Sequence, residues 1–189
     1  PLAFNAQCQL SKSLVPNTLT ANMAVTNVAG VVGALDLRPL ASTVNVVVKS
    51  QDAKQFHVER AAARIDWLNT MLAQLTVTGA INVSQMIADA AIDAALRPSP
   101  LWQALIPAKT GINIADTTAD INMRISSRDK GQALTSAGSV RVRDFKVAAP
   151  KAGAQTITPM NVDGVFNASV DNRAKTLVVP QLDLTVSQR

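Results

Sequence analysis

Residues 134–147, LTSAGSVRVRDFKV, place a glycine ahead of apolar and charged residues that alternate one by one. Such alternation is the period of a β-strand with one apolar face and one solvated face. The apolar positions change parity between Val142 and Phe145, and this change predicts a bulge or tight bend near Asp144.

The same unit recurs elsewhere in the chain. Residues 75–83, LTVTGAINV, repeat the scheme L-T-x-x-G-x-(Ile/Val)-x-Val, and residues 162–170, VDGVFNASV, keep the glycine and the alternation. Three glycine-led amphipathic strands indicate that one hairpin unit is reused, and such reuse lengthens a surface.

Composition predicts a folded chain with an aliphatic interior. The 189 residues are 48% hydrophobic, with no Tyr, two Trp and four Phe. This length fits a single domain spanning residues 1–189, or an excised segment of a longer protein. The one cysteine, Cys8, cannot form an internal disulfide, and its place in an alternating row predicts a small buried hydrophobe. The net charge of +5 suggests an anionic neighbour, although basic residues that alternate with apolar ones are typical of a solvated strand face.

Alternating segments recur at the spacing of a meander. They are bounded by turn residues, and successive strands follow at roughly eight to twelve residues, which predicts an antiparallel meander. Pro180 places a break or a sheet edge in the last strand. The predicted fold is mainly β, a β-rich α+β fold, with strands at residues 2–10, 19–26, 44–48, 121–125, 162–170 and 176–186.

The middle of the chain is ambiguous, and a helix is the favoured interpretation. From Val58 to Leu75, apolar residues fall three and four positions apart, as on a helix with one buried face. Strand alternation with a one-residue slip also fits. Residues 84–96 are helix-like, with Ser84 as N-cap, but they could continue a strand. A short helix over 101–106 follows Pro100. The sequence thus predicts a helix-like insert at about 56–106, with one or two helices in the middle of the chain.

The glycine-led unit resembles a known family. Residues 138–150 follow Gly-x-apolar-x-apolar-x-Asp-apolar-x-apolar-x-x-Pro, and residues 176–186 continue the pattern. These motifs resemble the repeated β-hairpins of the AsmA-like proteins of the Gram-negative envelope. Residues 34–40 and 95–101 resemble strand-to-turn junctions of that family. The resemblance is best over residues 112–189.

The resemblance implies a long curved sheet with an apolar concave face. It implies a periplasmic protein that carries phospholipid acyl chains between the inner and outer membranes and is anchored through a segment absent from this chain. Phospholipid is the expected ligand, with head groups at Arg141, Arg143 and Lys146. The expected lipid-facing residues are Val140, Val142, Phe145, Val147, Phe166, Ala168, Val170, Leu182, Leu184 and Val186. The alternative is that the same residues fill a closed core against the central helix.

No motif predicts an enzyme, a metal site or a cofactor. His57 and Glu59 form His-x-Glu, but zinc needs three or four convergent ligands and the chain has one His and one Cys. Gly-x-Ser-x-Gly and phosphate-binding glycine loops are absent. Nucleic acid is not a predicted partner, because Phe145 is the only aromatic residue near the basic cluster. That cluster consists of Arg124, Arg128, Lys130, Arg141, Arg143, Lys146 and Lys151.

A structural assembly protein is the second hypothesis. Capsid, tail and surface-layer subunits are also β-rich, rich in Thr, Asn and Val, and free of catalytic motifs. The sequence leaves the oligomeric state open, and defined large oligomers would favour this hypothesis.

Overall fold

The chain is a set of long strands with one short helix. The computed structural model describes residues 2–10, 16–26, 30–32, 35–50, 52, 54–107, 111–147 and 159–188; Lys151 lies outside these ranges. The helix α1 is Pro100–Leu105, and a single 3-10 turn covers Asp129–Gly131. The strands are β1 (Leu2–Leu10), β2 (Pro16–Thr26), β3 (Val31–Val32), β4 (Leu35–Asp36), β5 (Leu40–Ser50), β6 (Gln55–Trp67), β7 (Thr70–Asn82), β8 (Ile87–Leu96), β9 (Ile112–Asn113), β10 (Thr118–Arg128), β11 (Ala133–Val147), β12 (Met160–Asp171) and β13 (Thr176–Gln188).

The strands form one large open antiparallel sheet. Its order is β1-β2-β5-β6-β7-β8-β10-β11-β12-β13, and β9 pairs with the end of β11 to make it eleven-stranded. β3 and β4 form a separate hairpin. Long strands that are neighbours in space follow one another in sequence, apart from short inserts. The predicted mainly β fold with an antiparallel meander is therefore confirmed.

The helical interpretation of the middle of the chain is wrong. Val58 to Leu75 belongs to β6 and β7, and residues 84–96 form a turn followed by β8. Ser84 therefore caps no helix. Of the predicted helix-like insert at about 56–106, only the short helix after Ser99 exists, and the Ser99 hydroxyl accepts a hydrogen bond from the Leu101 N–H at 3.2 Å.

The β6–β7 turn explains the misleading spacing. Leu68 and Asn69 both have positive φ angles, 52° and 61°, and they form a two-residue hairpin turn whose twist suits antiparallel strands. The β6–β7 pairing also shifts register between Val58 and Ala61 and between Ile65 and Asp66. Each bulge changes the parity of the apolar positions, so a pair of bulged strands imitates three- and four-residue spacing.

Two backbone predictions near the end of the chain are confirmed. The β11–β12 register shifts between Val142 and Phe145, and Asp144 has a φ of 57° in this bulge. Pro180 lies in β13, which is the last strand of the sheet order. Proline cannot donate a backbone hydrogen bond, so an edge strand tolerates it.

The sheet has almost no enclosed core in the part of the chain that the structure describes. Leu72 and Leu101 are its only buried apolar side chains, 2% and 5% exposed. The chain exposes 12298 Å², whereas a compact monomer of 19.9 kDa exposes roughly 8,700 Å² by the usual scaling. Within the described ranges, no second layer of strands or helices packs across either face. The closed core against a central helix, the alternative left open by the sequence, is not observed there.

One end of the sheet carries both inserts, and we call this end the upper rim. The hairpin β3–β4 follows β2 and α1 follows β8, and these two strands run in the same direction, so both inserts lie at the end where β2 and β8 finish. The Trp67 Nε1–H donates to the Asp36 carbonyl at 3.2 Å, and the Trp102 Nε1–H donates to the Arg97 carbonyl at 2.7 Å. Both tryptophans are half-buried and pack at this rim.

Candidate functional site

The pairing register divides the side chains of the sheet between two opposite faces. Residues directly opposite one another on paired strands point to the same side. Following the pairs from β1 to β13 gives an apolar face whose paired positions carry no charged residue. Its main members are Leu2, Phe4, Ala6, Cys8, Leu19, Ala21, Met23, Val25, Val44, Val46, Val48, Phe56, Val58, Ala61, Ala63, Ile65, Ala73, Leu75, Val77, Ile81, Ala90, Ile92, Ala94, Leu96, Ala119, Ile121, Met123, Ile125, Leu134, Val140, Val142, Phe145, Val162, Phe166, Ala168, Val170, Leu182, Leu184 and Val186.

The apolar face is accessible to solvent. Phe4 in β1 is 70% exposed and Leu184 in β13 is 62% exposed, whereas Ile121 in the middle of the sheet is 38% exposed. Neighbouring side chains on the same face therefore shield the centre in part. For comparison, a side chain in a closed core is normally almost fully buried.

The lipid-facing residues predicted from the sequence lie together on this face. Val140 and Val142 oppose Gly164 and Val162, and Phe166 opposes Leu182. The remaining predicted residues follow by the same register or by alternation beyond the Asp144 bulge; they are Phe145, Val147, Ala168, Val170, Leu184 and Val186.

The sequence analysis missed the part of the apolar face that β6 to β8 contribute. The helical interpretation removed β6 to β8 from the sheet and so hid residues such as Ala63 and Ala94. The recurring glycine unit at residues 75–83 is the signal that could have found them, because it repeats the pattern of β11. Cys8 is also a correction: it lies on the apolar face as predicted but is exposed, because β1 is an edge strand.

Two glycines on the apolar face lie too close to the neighbouring strand to carry a side chain. A Cβ at Gly79 would lie 2.2 Å from the Asp89 carbonyl oxygen, and a Cβ at Gly138 would lie 2.3 Å from the Asn122 carbonyl oxygen. The backbone of the neighbouring strand therefore leaves no room for a Cβ at either position. Glycine in a strand commonly marks such a close approach.

A recess lies in the apolar face across β6, β7, β8 and β10. Its volume is about 450 Å³, which falls within the range of small-ligand sites. Four alanines, each too short to fill the space, lie among longer aliphatic side chains. The recess is lined on the apolar face by Ala63, Ile65, Ala73, Leu75, Ala94, Leu96, Ala119 and Ile121.

The opposite face, which we call the polar face, is held by side-chain pairs between strands. Asn45 hydrogen-bonds to Asn22 across β2 and β5. The Asp89 carboxylate accepts hydrogen bonds from Arg128 at 2.8 Å and from the Ser126 hydroxyl at 2.6 Å. These two donors hold the pKa of Asp89 below its usual value, with Arg128 the larger cause.

The predicted head-group residues lie on the polar side, away from the predicted lipid-facing side chains. Arg143 donates to Asp163 at 2.7 Å and Arg141 donates to the same carboxylate at 3.3 Å. The Arg143 hydrogen bond is the largest cause that lowers the pKa of Asp163. Lys146 pairs with Asp116 at 2.6 Å near the upper rim. A head group could reach these cations only around a rim of the sheet.

No metal or catalytic constellation is present in the described ranges. No three His, Cys, Asp or Glu side chains there could hold a metal ion. His57 and Glu59 line a pocket of about 670 Å³, where Glu59 pairs with Lys49 at 2.5 Å. No helix in those ranges is long and apolar enough to cross a membrane.

Comparison of the chain with protein-family models, with curated proteins and with solved structures gives no match in any of the three.

Proposed function

We propose that this chain is a non-enzymatic module of the bacterial envelope whose apolar face binds phospholipid acyl chains. The observation that carries the proposal is the apolar face, over which no described element packs. It spans the ten strands of the sheet order from β1 to β13 without a charged residue at its paired positions. The resemblance of residues 112–189 to AsmA-like proteins supports the same function. On this proposal the module lies in the periplasm and is attached to the inner membrane by a segment absent from this chain.

The energetics favour an acyl chain as the occupant of this face. A large exposed apolar surface promotes aggregation unless something covers it. Each buried methylene contributes about 0.8 kcal/mol, so a dozen methylenes contribute on the order of 10 kcal/mol before the costs of association are subtracted. A flexible chain also adapts to a face built from small aliphatic side chains.

The shape of the face suits movement of lipid along the sheet. Ten strands at the usual spacing of about 4.8 Å extend roughly 43 Å in the stacking direction. Apolar side chains continue from each strand to the next without a charged interruption at the paired positions. An acyl chain that crosses the strands would therefore meet similar surroundings at each step, and this supports conduction between the two membranes.

The polar groups of a bound phospholipid would remain at a rim. Arg141 and Arg143 both form ion pairs with Asp163 on the polar face. A phosphate would therefore have to compete with this carboxylate for the two guanidinium groups. Lys146 is better placed, because it lies near the end of β11 at the upper rim. A phosphate there would compete with Asp116 for the Lys146 ammonium group.

Lipid analysis of the purified chain tests the proposal. The chain would be produced in a bacterial host, purified without detergent and extracted for lipid mass spectrometry, with native mass measured in parallel. We expect stoichiometric phospholipid, and we expect Val142→Asp to reduce it without unfolding the chain. A folded, lipid-free wild-type chain would overturn the proposal.

A structural assembly subunit is the second candidate, and the outer edge of β1, with which no described residue pairs, favours it. Open sheet edges promote association between chains. Defined large oligomers that carry no lipid would support assembly, and a lipid-bound monomer or dimer would support the lipid-binding module.

A further inference from the structure

Within the described ranges, the outer edge of β1 is a pairing surface that no other strand occupies. All nine residues of Leu2–Leu10 pair with β2 on one side, and no described residue pairs with the other side. Alternate residues of an edge strand direct their backbone N–H and C=O groups outward. Soluble proteins usually guard such an edge with lysine, proline or a bulge. β1 contains no charged residue and no proline, and its register irregularity is confined to its last residues.

The edge at the other end of the sheet is guarded. β13 contains Pro180, which cannot donate a ladder hydrogen bond, and its pairing with β12 shifts register between Asn167 and Ser169. Asp183 adds a charge to the same strand. The two edges of the sheet therefore differ. Pairing of β1 with β1 of a second copy gives a closed dimer, whereas pairing of β1 with β13 of a second copy would build an open filament.

We propose that β1 pairs with β1 of a second copy of this chain across a twofold axis at Ala6. The sequence LAFNAQCQL is self-complementary in this register. On the apolar face Leu2 opposes Leu10 of the second copy and Phe4 opposes its Cys8. On the polar face Asn5 opposes Gln7, and two amide side chains can hydrogen-bond to each other.

The pairing joins the two apolar faces into one. A twofold axis perpendicular to the sheet keeps both apolar faces on the same side, and the register centred on Ala6 pairs all nine residues of the strand. A shift by one residue would place apolar side chains on the polar face. The dimer doubles the length of the apolar face, but it forms through backbone hydrogen bonds whether or not lipid is bound. Its failure would therefore leave the lipid-binding proposal untouched.

Charge substitutions on β1 test the interface. The double variant Asn5→Lys/Gln7→Lys places lysine opposite lysine across the axis, and Asn5→Glu/Gln7→Glu places glutamate opposite glutamate. Each variant alone should self-associate at least roughly tenfold more weakly than the wild type, measured by sedimentation equilibrium. A mixture of the two should restore the dimer, because each lysine then opposes a glutamate. The matched control Thr185→Lys/Ser187→Lys adds the same charge to β13 and should leave the dimer intact.

Disulfide trapping tests the register. In a Cys8→Ser background, Ala6→Cys places the two thiols directly opposite, where paired Cα atoms lie about 4.5–5.5 Å apart and a disulfide can form. In this register the native Cys8 would lie roughly 13 Å from Cys8 of the second copy. In the Cys8→Ser background, the two cysteines of an Ala3→Cys variant would lie roughly 20 Å apart. Only the Ala6→Cys variant should give a disulfide-linked dimer under oxidation.

A monomeric wild-type chain would overturn the proposal. So would a dimer that both β1 charge variants leave unchanged, since it would indicate contact between apolar faces. Cross-linking through Ala3→Cys but not through Ala6→Cys would overturn the register.

Discussion

The apolar and polar faces of the sheet are built by the same strands and differ completely in what holds them. The polar face is tied by pairs between neighbouring strands, such as Arg128 with Asp89 and Arg143 with Asp163. The apolar face has no such pairs and only partial shielding by its own neighbours. In most one-sided antiparallel sheets the apolar face is packed on the core and the polar face is solvated. Here the apolar face has no layer over it in the described part of the chain, and the proposed function concerns that face.

The two faces should differ most in how a single introduced charge affects bound lipid, and two adjacent residues of β12 allow the comparison. Phe166→Asp places a carboxylate on the apolar face, and Val165→Asp places one on the polar face, where Val165 is already 44% exposed. Because an unpaired charge is costly beside acyl chains, Phe166→Asp should lower retained phospholipid by at least roughly tenfold. Lipid per mole of protein, measured by mass spectrometry, gives the comparison.

Val165→Asp is the matched control for that charge, and it should retain wild-type lipid. Circular dichroism and the thermal midpoint of both variants would show that each remains folded. Equal lipid loss in the two variants would mean that lipid binding does not depend on the apolar face in particular.

A smaller difference should follow from filling the recess. Ala94 opposes Leu75 and Ile121 on the apolar face, and Ala94→Trp would occupy the space between the longer side chains. We expect a severalfold loss of retained lipid with little change in stability, because the face is open and a larger side chain has room to turn. Ala91→Trp on the same strand points to the polar face and should leave lipid unchanged. If Ala94→Trp keeps the full lipid complement, the recess is not part of the binding surface.

The close approach of β10 to Gly138 can be tested through stability. A methyl group at Gly138 would collide with the backbone of β10, so Gly138→Ala should destabilise the chain by about 1–3 kcal/mol. Ala137→Ser changes the adjacent residue on the polar face and should stay within about 0.5 kcal/mol. Urea unfolding monitored by circular dichroism measures both. An unaltered urea midpoint for Gly138→Ala would show that strand β11 does not need the close approach.

The smallest expected effect is the pH dependence of the polar face. The pKa values of Asp89 and Asp163 lie below the usual 3.8, since arginine hydrogen bonds favour the ionised carboxylates. Folding therefore gains stability above pH 3.8, and that stability is lost as the pH falls through the lowered values. The effect should be slight and weaker in high salt, because these pairs are solvent-exposed.

A paired set of substitutions measures that contribution. The double variant Asp89→Asn/Asp163→Asn should show a flatter decline of the urea midpoint in acid than the wild type. The same decline in both proteins would indicate that the arginine pairs do not set the acid sensitivity.

The mainly β fold and the part of the candidate site on β11 to β13 could be predicted from alternation. Strands β1, β2, β5, β10, β12 and β13 alternate cleanly, and the predicted residues from Val140 to Val186 lie together on one face. The helical error over residues 58–96 arose because bulges and a hairpin turn at Leu68 and Asn69 broke the alternation. Alanine favours helix by only a few tenths of a kcal/mol per residue, and pairing with neighbouring strands outweighs such a preference.

Where the alternation is unbroken, the sequence by itself determined which side chains share a face, because a strand has a period of two. It also determined the chemistry of each face. Only the tertiary structure decided that these strands join into one sheet, that Gly79 and Gly138 lie too close to neighbouring strands to carry a side chain, and that no described element covers the apolar face. Local periodicity fixes the direction of a side chain relative to its own backbone, whereas burial depends on which distant strands come to lie beside it.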